Sequence, residues 1–259
     1  MIDKKLFSVL EDGKKYIRLN VLWQWIALLA DAAFIYAAAL TLDALYSGIS
    51  GGPLGIFAAM TATGAMLVKY MCIRARSRCA FLSSCIAEED LQEKIFAGCS
   101  EDTLSAEAAA ALRYTGPFAE YYSTYVPQFY YAVTAPVTLF LVLCLIDWKA
   151  ALVLLVFVPV LYALVRQERK QPLLRYISLS ELAAYAGMAA GMIFALLELK
   201  NHSIAIYGCL MIILLAPGFY LPMLKLKSRS GIYKEGISAS ERISAFLETE
   251  TDGKEGACE

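Results

Sequence analysis

Charged residues are scarce in this chain, and the shortage limits what kind of protein it can be. Only 18% of the 259 residues are Asp, Glu, Lys or Arg, whereas 59% are hydrophobic, and the mean hydropathy is +0.56. A soluble domain usually has about a quarter charged residues and under half apolar ones. The net charge is −1, which gives no basic surface for nucleic acid. The composition therefore disfavours a soluble domain and predicts no nucleic-acid partner.

Motifs for metals, nucleotides and catalysis are also missing. The chain has one histidine, His202, and its seven cysteines form no CxxC pair, so zinc-binding spacing is absent. The dipeptides Gly13-Lys14 and Gly253-Lys254 lack the preceding glycine of a G-x-x-x-x-G-K-[ST] loop. No nucleophile–base pair is visible either. We therefore expect no catalytic residue, no metal and no cofactor on this chain.

What the chain does contain is apolar segments of the length that crosses a membrane. A helix needs about 20 apolar residues to span a hydrocarbon core of about 30 Å. The sequence predicts an all-α integral membrane protein whose six-helix transmembrane domain covers residues 21–228. The predicted spans are about 21–42, 55–71, 125–146, 150–165, 182–197 and 204–224.

Three flanking segments complete the predicted organisation. Residues 1–20 alternate apolar residues with lysines, which indicates an amphipathic elbow helix at the headgroups and no cleavable signal. Between the second and third spans, acidic residues mix with Leu and Ala from Glu88 to Glu120, which predicts a cytoplasmic helical extension. Residues 229–259 read as a cytoplasmic linker and tail. The short turn at 46–53 is rich in glycine and is assigned to the outer side.

The distribution of positive charge predicts the orientation. If the N-terminus lies in the cytoplasm, all but Lys149 and Lys200 of the 23 lysines and arginines fall on the cytoplasmic side. Cytoplasmic loops of membrane proteins carry such an excess of Lys and Arg. Six spans then return the C-terminus to the cytoplasm as well.

Two polar residues of the first span are candidates for a site inside the membrane. Gln24 and Asp31 are two helical turns apart and therefore share one face. A carboxylate at the centre of a membrane helix costs about 2.5–3.5 kcal/mol on insertion scales. That face should point toward other helices or a water-filled cavity. Asp31 either belongs to a translocation path or ion site, or it only bonds to a neighbouring helix or is protonated.

Small residues recur at four-residue spacing in the fifth span, at Ala183, Gly187, Gly191 and Ala195. Such spacing lets two helix backbones approach closely. Packing within the chain and a dimer seam are both open. Prolines stand inside two other spans, where each removes a backbone hydrogen bond and can kink its helix. They are Pro127 and Pro136 in the third span and Pro217 and Pro222 in the sixth.

An aromatic run surrounds the start of the third span, and it fits either a ligand cage or an interfacial belt with helix packing. Its members are Tyr114, Phe118, Tyr121, Tyr122, Tyr125, Phe129, Tyr130 and Tyr131.

Several stretches resemble the transmembrane half of ABC exporters of the type I fold. They include LLAPGFYLP (214–222) in the sixth span, SASERISAFLE (238–248) after it, and the segment 121–160. The similarity is to bacterial half-transporters, a subfamily that includes the thiol exporters needed for cytochrome bd assembly. It implies a multi-pass protein of the bacterial inner membrane, a second half-transporter as homo- or heterodimer partner, and an ABC ATPase that binds ATP and Mg²⁺.

Departures from that pattern are also present. The ATPase domain that follows the linker in the family is not found in these residues, and Gly218 stands where relatives tend to have an acidic residue. The second cytoplasmic coupling loop is reduced to 166–180, because about 15 extended residues reach only about 50 Å over both legs. The resemblance also implies that the fourth and fifth spans pack on the other subunit, which so short a loop disfavours.

Two functions follow from these observations. The first is a permease subunit that moves a small molecule outward by alternating access, with ATPase domains supplied by other chains. Its polar substrate-path candidates, chosen by membrane position and residue type, are Gln24, Asp31, Gln128 and Tyr220. The second is a truncated, non-transporting relic or accessory membrane subunit, which the short loop favours.

Overall fold

The computed structural model describes residues 11–48, 52–98, 106–170 and 178–255, and the helices below account for nearly all of them. The helices are α1 (Glu11–Tyr46), α2 (Gly52–Gly98), α3 (Ala106–Glu120), α4 (Val126–Cys144), α5 (Trp148–Lys170), α6 (Leu179–Lys200), α7 (Ile206–Ser228) and α8 (Ser230–Glu255). A π-helical turn, Tyr121–Tyr125, joins α3 to α4. Residues 1–10 of the predicted elbow, 49–51 of the outer turn, 171–177 of the short loop and 256–259 of the tail lie outside the described residues.

The prediction of an all-α protein with six long apolar helices is confirmed. Six helical segments are long and apolar enough to cross a membrane, and no β-strand occurs in the described part of the chain. The segments are Gly13–Tyr46, Gly55–Ala97, Ala108–Cys144, Trp148–Glu168, Leu179–Lys200 and Ile206–Ser228.

The first three of these segments are much longer than a bilayer requires. The helix α2 alone has 47 residues, whereas about 20 suffice for the hydrocarbon core. Residues 11–20 continue into the first span as one helix, since α1 is unbroken from Glu11 to Tyr46. Part of each long helix must therefore lie beyond the hydrocarbon.

The chain divides into two compact units, of which the first contains Met1–Leu22, Ala75–Gln128 and Arg229–Glu259. In this unit α3 packs against α8. Its apolar core includes Ile95, Ala108 and Ala111, with Leu112 and Phe246 packed against them.

The second unit contains Trp23–Arg74 and Phe129–Ser228. In it α5, α6 and α7 pack against one another, so the fourth, fifth and sixth apolar segments form a three-helix group within one chain. The tight turn before α5 is fixed by Asp147, whose Oδ1 accepts a hydrogen bond from the backbone N–H of Lys149 at 3.0 Å. A carboxylate in this position caps the free N–H groups at a helix start.

Candidate polar site in the membrane-spanning helices

Asp31 forms an ion pair with a residue of the second span, Lys69. The Lys69 Nζ lies 2.7 Å from Asp31 Oδ1, and the two side chains are 48% and 42% exposed, respectively. The contact gives Asp31 a charged partner, which a carboxylate among apolar helices requires. Because both side chains are about half exposed, other residues of the second unit do not fully cover the pair.

The two residues meet because they lie at equal depth on antiparallel helices. Asp31 precedes the end of α1 by about 15 residues, and Lys69 follows the start of α2 by about 17, at about 1.5 Å of rise per residue. Each charge therefore lies about 22–26 Å along its helix from the turn that joins α1 to α2. In the sequence, Lys69 stands out as a lysine within the apolar run 55–71, and this signal of a partner for Asp31 was missed.

The indole of Trp25 connects α1 to α4 in this unit. Its Nε1 donates a hydrogen bond to Thr134 Oγ1 of α4 at 2.9 Å. The Thr134 hydroxyl in turn donates to the backbone carbonyl of Tyr130 at 2.8 Å. Gln24, the neighbouring residue, is buried at 5% exposure.

The remaining substrate-path candidates are buried in different surroundings. Tyr220 is fully buried, and its hydroxyl donates to the backbone carbonyl of Leu154 at 2.8 Å. This hydroxyl therefore joins α7 to α5. Gln128 is 5% exposed, and its Nε2 makes no hydrogen bond to any described residue. Asp31, the charged member of the four candidates, pairs with the Lys69 ammonium.

The small residues of α6 let its backbone approach two neighbouring helices. A Cβ added at Gly187 would lie 2.7 Å from the Tyr220 hydroxyl and 3.0 Å from Phe157 Cβ, and one at Gly191 would collide with the Leu154 side chain. Ala195 is fully buried and Ala183 is partly buried. The contacts of Gly187 and Gly191 lie within the chain, against α5 and α7.

The aromatic run contributes a packed cluster to the first unit. Phe118, Tyr121, Tyr122 and Tyr125 are buried, and the ring centroids of Tyr121 and Tyr125 are 5.4 Å apart. Tyr233 of α8 contacts the same cluster, 5.1 Å from Tyr125. Tyr121, Tyr122 and Tyr125 belong to the π-helical turn, whereas Phe118 belongs to α3, so the cluster joins this turn to α3 and α8.

Positive charge gathers next to this turn. Arg229 Nη1 donates to the backbone carbonyl of Thr124 at 3.4 Å. Burial lowers the pKa of the Arg229 guanidinium, and the nearby charge of Arg76 lowers it further, while Glu120 acts in the opposite direction. The described residues contain no group of three His, Cys, Asp or Glu side chains that could hold a metal ion.

These features define a class: a helical membrane protein whose described residues include six apolar helices and a charged pair between the first two. Comparison with known proteins adds one relative, an uncharacterized ABC transporter ATP-binding protein of Haemophilus influenzae. The identity is 25%, and the alignment covers 53% of this chain and 35% of the relative. The chain thus matches about a third of that relative's length. No family model matches the sequence.

Proposed function

We propose that this chain is a transmembrane permease subunit of an ABC-type exporter, which moves a small molecule outward by alternating access. The observation that carries the proposal is the half-exposed Asp31–Lys69 pair within the apolar helices. Charges at this depth face the interior of a helix bundle or a water-filled path, because exposure to lipid is costly. The similarity to an ABC transporter protein supports the same reading.

In this proposal the second unit lines the transport path, and the long helices transmit conformational change from the ATPase domains to that path. The parts of α2 and α3 that exceed a membrane span form the cytoplasmic extension of the type I exporter fold. Both termini lie on the cytoplasmic side of a bacterial inner membrane, as the lysine and arginine distribution predicts. ATP hydrolysis, with Mg²⁺, takes place on ABC ATPase domains outside residues 1–259, and a second half-transporter completes the path.

Asp31 and Lys69 have the central role in this mechanism. Alternating access is a population shift between inward-open and outward-open packings. The pair keeps both charges satisfied when no substrate is bound, and a polar substrate group competes for one of them. Gln24, on the same face of α1, extends this polar strip.

Affinity purification of the tagged chain from native membranes tests the proposal. We expect an ABC ATPase or a second half-transporter in fixed ratio, together with ATP hydrolysis that vanadate inhibits. A stable protein that purifies alone and without ATPase activity would contradict transport and leave the accessory-subunit interpretation.

The role of the pair is tested in the same complex with Asp31→Asn/Lys69→Met. We expect the rate of vanadate-sensitive ATP hydrolysis to change by at least about fivefold, the lower end of coupling between distant sites. The matched control is Asp43→Asn, a carboxylate near the outer end of the same helix, which should leave the rate within about twofold. Equal effects of both variants would rule out a special role for Asp31 and Lys69.

A further inference from the structure

A second cluster of polar side chains connects the ends of α5, α6 and α7, and the proposed transport path does not use it. Glu168 lies in the last turn of α5, Ser180 in the first turn of α6, and Lys227 in the last turn of α7. The Glu168 side chain is 4% exposed and that of Lys227 is 17% exposed. A charged pair so well buried in a chain of low charge needs an explanation.

The three side chains form a closed set of hydrogen bonds. Glu168 Oε1 accepts from the backbone N–H of Ser180 at 2.8 Å, and its Oε2 accepts from the Ser180 hydroxyl at 2.8 Å. Lys227 Nζ lies 2.9 Å from Glu168 Oε2 and donates to the Ser180 hydroxyl oxygen at 2.9 Å. The serine hydroxyl thus donates once, to Glu168, and accepts once, from Lys227, so it bridges the two charged groups.

Glu168 also caps a helix to which it does not belong. The residue before α6, Ser178, has a left-handed backbone with φ of 44°, and its side chain makes no capping hydrogen bond in the described structure. The first N–H groups of a helix need acceptors, and a negative charge there is favourable. The carboxylate of α5 satisfies this need at the N-terminus of α6.

Each member of the cluster depends on the other two, so the helix ends are held jointly. Removing one partner from a buried charge pair leaves the other charge without compensation, which is strongly destabilising. Displacing any one of the three helix ends would separate Glu168, Ser180 or Lys227 from the rest. The fourth, fifth and sixth apolar segments can then move only as a group at this end.

We propose that Glu168, Ser180 and Lys227 form a latch that fixes the start of α6 and ties the ends of α5, α6 and α7 into one rigid group. Glu181 is an alternative partner for Lys227, since its Oε1 lies 3.4 Å from Lys227 Nζ and its side chain is 50% exposed. When the latch opens, Lys227 stays paired with Glu181 while Glu168 leaves the N-terminus of α6. This inference holds whether or not the chain transports a substrate.

Hydrogen–deuterium exchange of the full chain in detergent micelles tests the latch. The variant Glu168→Met/Lys227→Met removes both charges and keeps similar volume, so neither charge is left uncompensated. We expect amide exchange in 179–185 to become about tenfold faster or more, as losing a charge-assisted hydrogen bond gives. Exchange should also rise in 162–168 and 223–228, because all three ends are released.

A matched control exists at the other end of the same two helices. Lys149 Nζ of α5 lies 3.5 Å from Glu198 Oε1 of α6, and Lys149 is 52% exposed. The variant Lys149→Met/Glu198→Met should leave exchange in 179–185 unchanged. Ser180→Ala, a milder change that keeps the backbone hydrogen bond, should give a smaller increase in the same peptides and serves if the double variant does not fold.

The inference is overturned if 179–185 exchanges at the wild-type rate in Glu168→Met/Lys227→Met, or if the control variant accelerates it equally. An increase confined to 179–185, with 162–168 and 223–228 unchanged, would also overturn it. That result would show that Glu168 only caps α6 and does not hold the ends of α5 and α7 together with it.

Discussion

Asp31 and Lys69 have to be considered together at the scale of single residues, because each compensates the other's charge. Their separation of 2.7 Å and their depth along α1 and α2 make an ion pair, whereas either residue alone would be an unpaired charge among apolar helices. Asp31 was identifiable from the sequence as an anomaly. Its partner was not, since pairing depends on how the two helices are rotated about their axes.

Lys69→Met alone is expected to be more damaging than Asp31→Asn/Lys69→Met. The single variant leaves the Asp31 carboxylate without its cation, whereas the double variant removes both charges. We expect the single variant to lower the apparent Tm by about 3–6 °C, and the double variant by less. Thermal unfolding in detergent, followed by size-exclusion chromatography, measures this. Equal losses in both variants would show that the pair does not couple.

Tyr220→Phe is expected to weaken the contact between α7 and α5. The change removes the hydroxyl that donates to the Leu154 carbonyl at 2.8 Å, so a buried hydrogen bond between α7 and α5 is lost. The expected loss is about 1 kcal/mol of unfolding free energy. Tyr162→Phe, at a tyrosine of α5 that is 41% exposed, is the control and should be nearly neutral. Urea unfolding in mixed micelles compares the two variants.

At the scale of helices, the apolar segments were predictable and their contacts were not. The predicted fifth span, 182–197, falls inside α6, which continues from Leu179 to Lys200. Hydropathy identifies the part of a helix that suits lipid, and the polar residues at its ends do not interrupt the backbone hydrogen bonds. Ser180 follows Glu168 by 12 residues and Lys227 follows Ser180 by 47, so their meeting depends on packing that no local pattern encodes.

Gly187→Ala and Gly191→Ala are both expected to be destabilising, because the new Cβ at each position meets a fully buried side chain. At Gly187 it lies 2.7 Å from the Tyr220 hydroxyl and 3.0 Å from Phe157 Cβ. At Gly191 it collides with Leu154 Cδ2 and lies 2.9 Å from Leu154 Cγ. Overpacking of this kind costs about 1–3 kcal/mol.

Gly64→Ala provides the control for this pair. A Cβ there would meet no described atom within 4 Å outside its own helix turn, and alanine favours a helix more than glycine does. We expect no loss of thermal stability in Gly64→Ala. If all three alanine variants unfold at the wild-type temperature, close approach of α6 to its neighbours is not needed for stability.

At the scale of the whole molecule, the distribution of lysine and arginine predicts which side of the membrane each turn faces. The prediction rests on Lys149 and Lys200 being the two basic residues on the outer side. The two turns that contain or adjoin them connect α4 to α5 and α6 to α7. Both turns must then lie on one side, with the start of α1 and the end of α8 on the other.

Reporter fusions measure this orientation directly. A reporter that folds only outside the cytoplasm should be active after Trp148 and after Asn201, and inactive after Gly253. Adding three lysines to the turn at 201–203 should lower its outward activity, because basic residues resist translocation. Activity after Gly253 would show that the orientation is inverted or that one of the six helices does not cross.

Because Glu168 caps α6, the residue that sets the start of this helix lies outside the segment that connects α5 to α6. The carboxylate of the preceding helix sets where α6 begins, through its bond to the Ser180 N–H. The connecting residues 171–177 then do not have to encode that starting point. Evolution, or a protein engineer, is free to lengthen this connection: a glycine–serine insertion between 170 and 178 should leave the register of α6 unchanged.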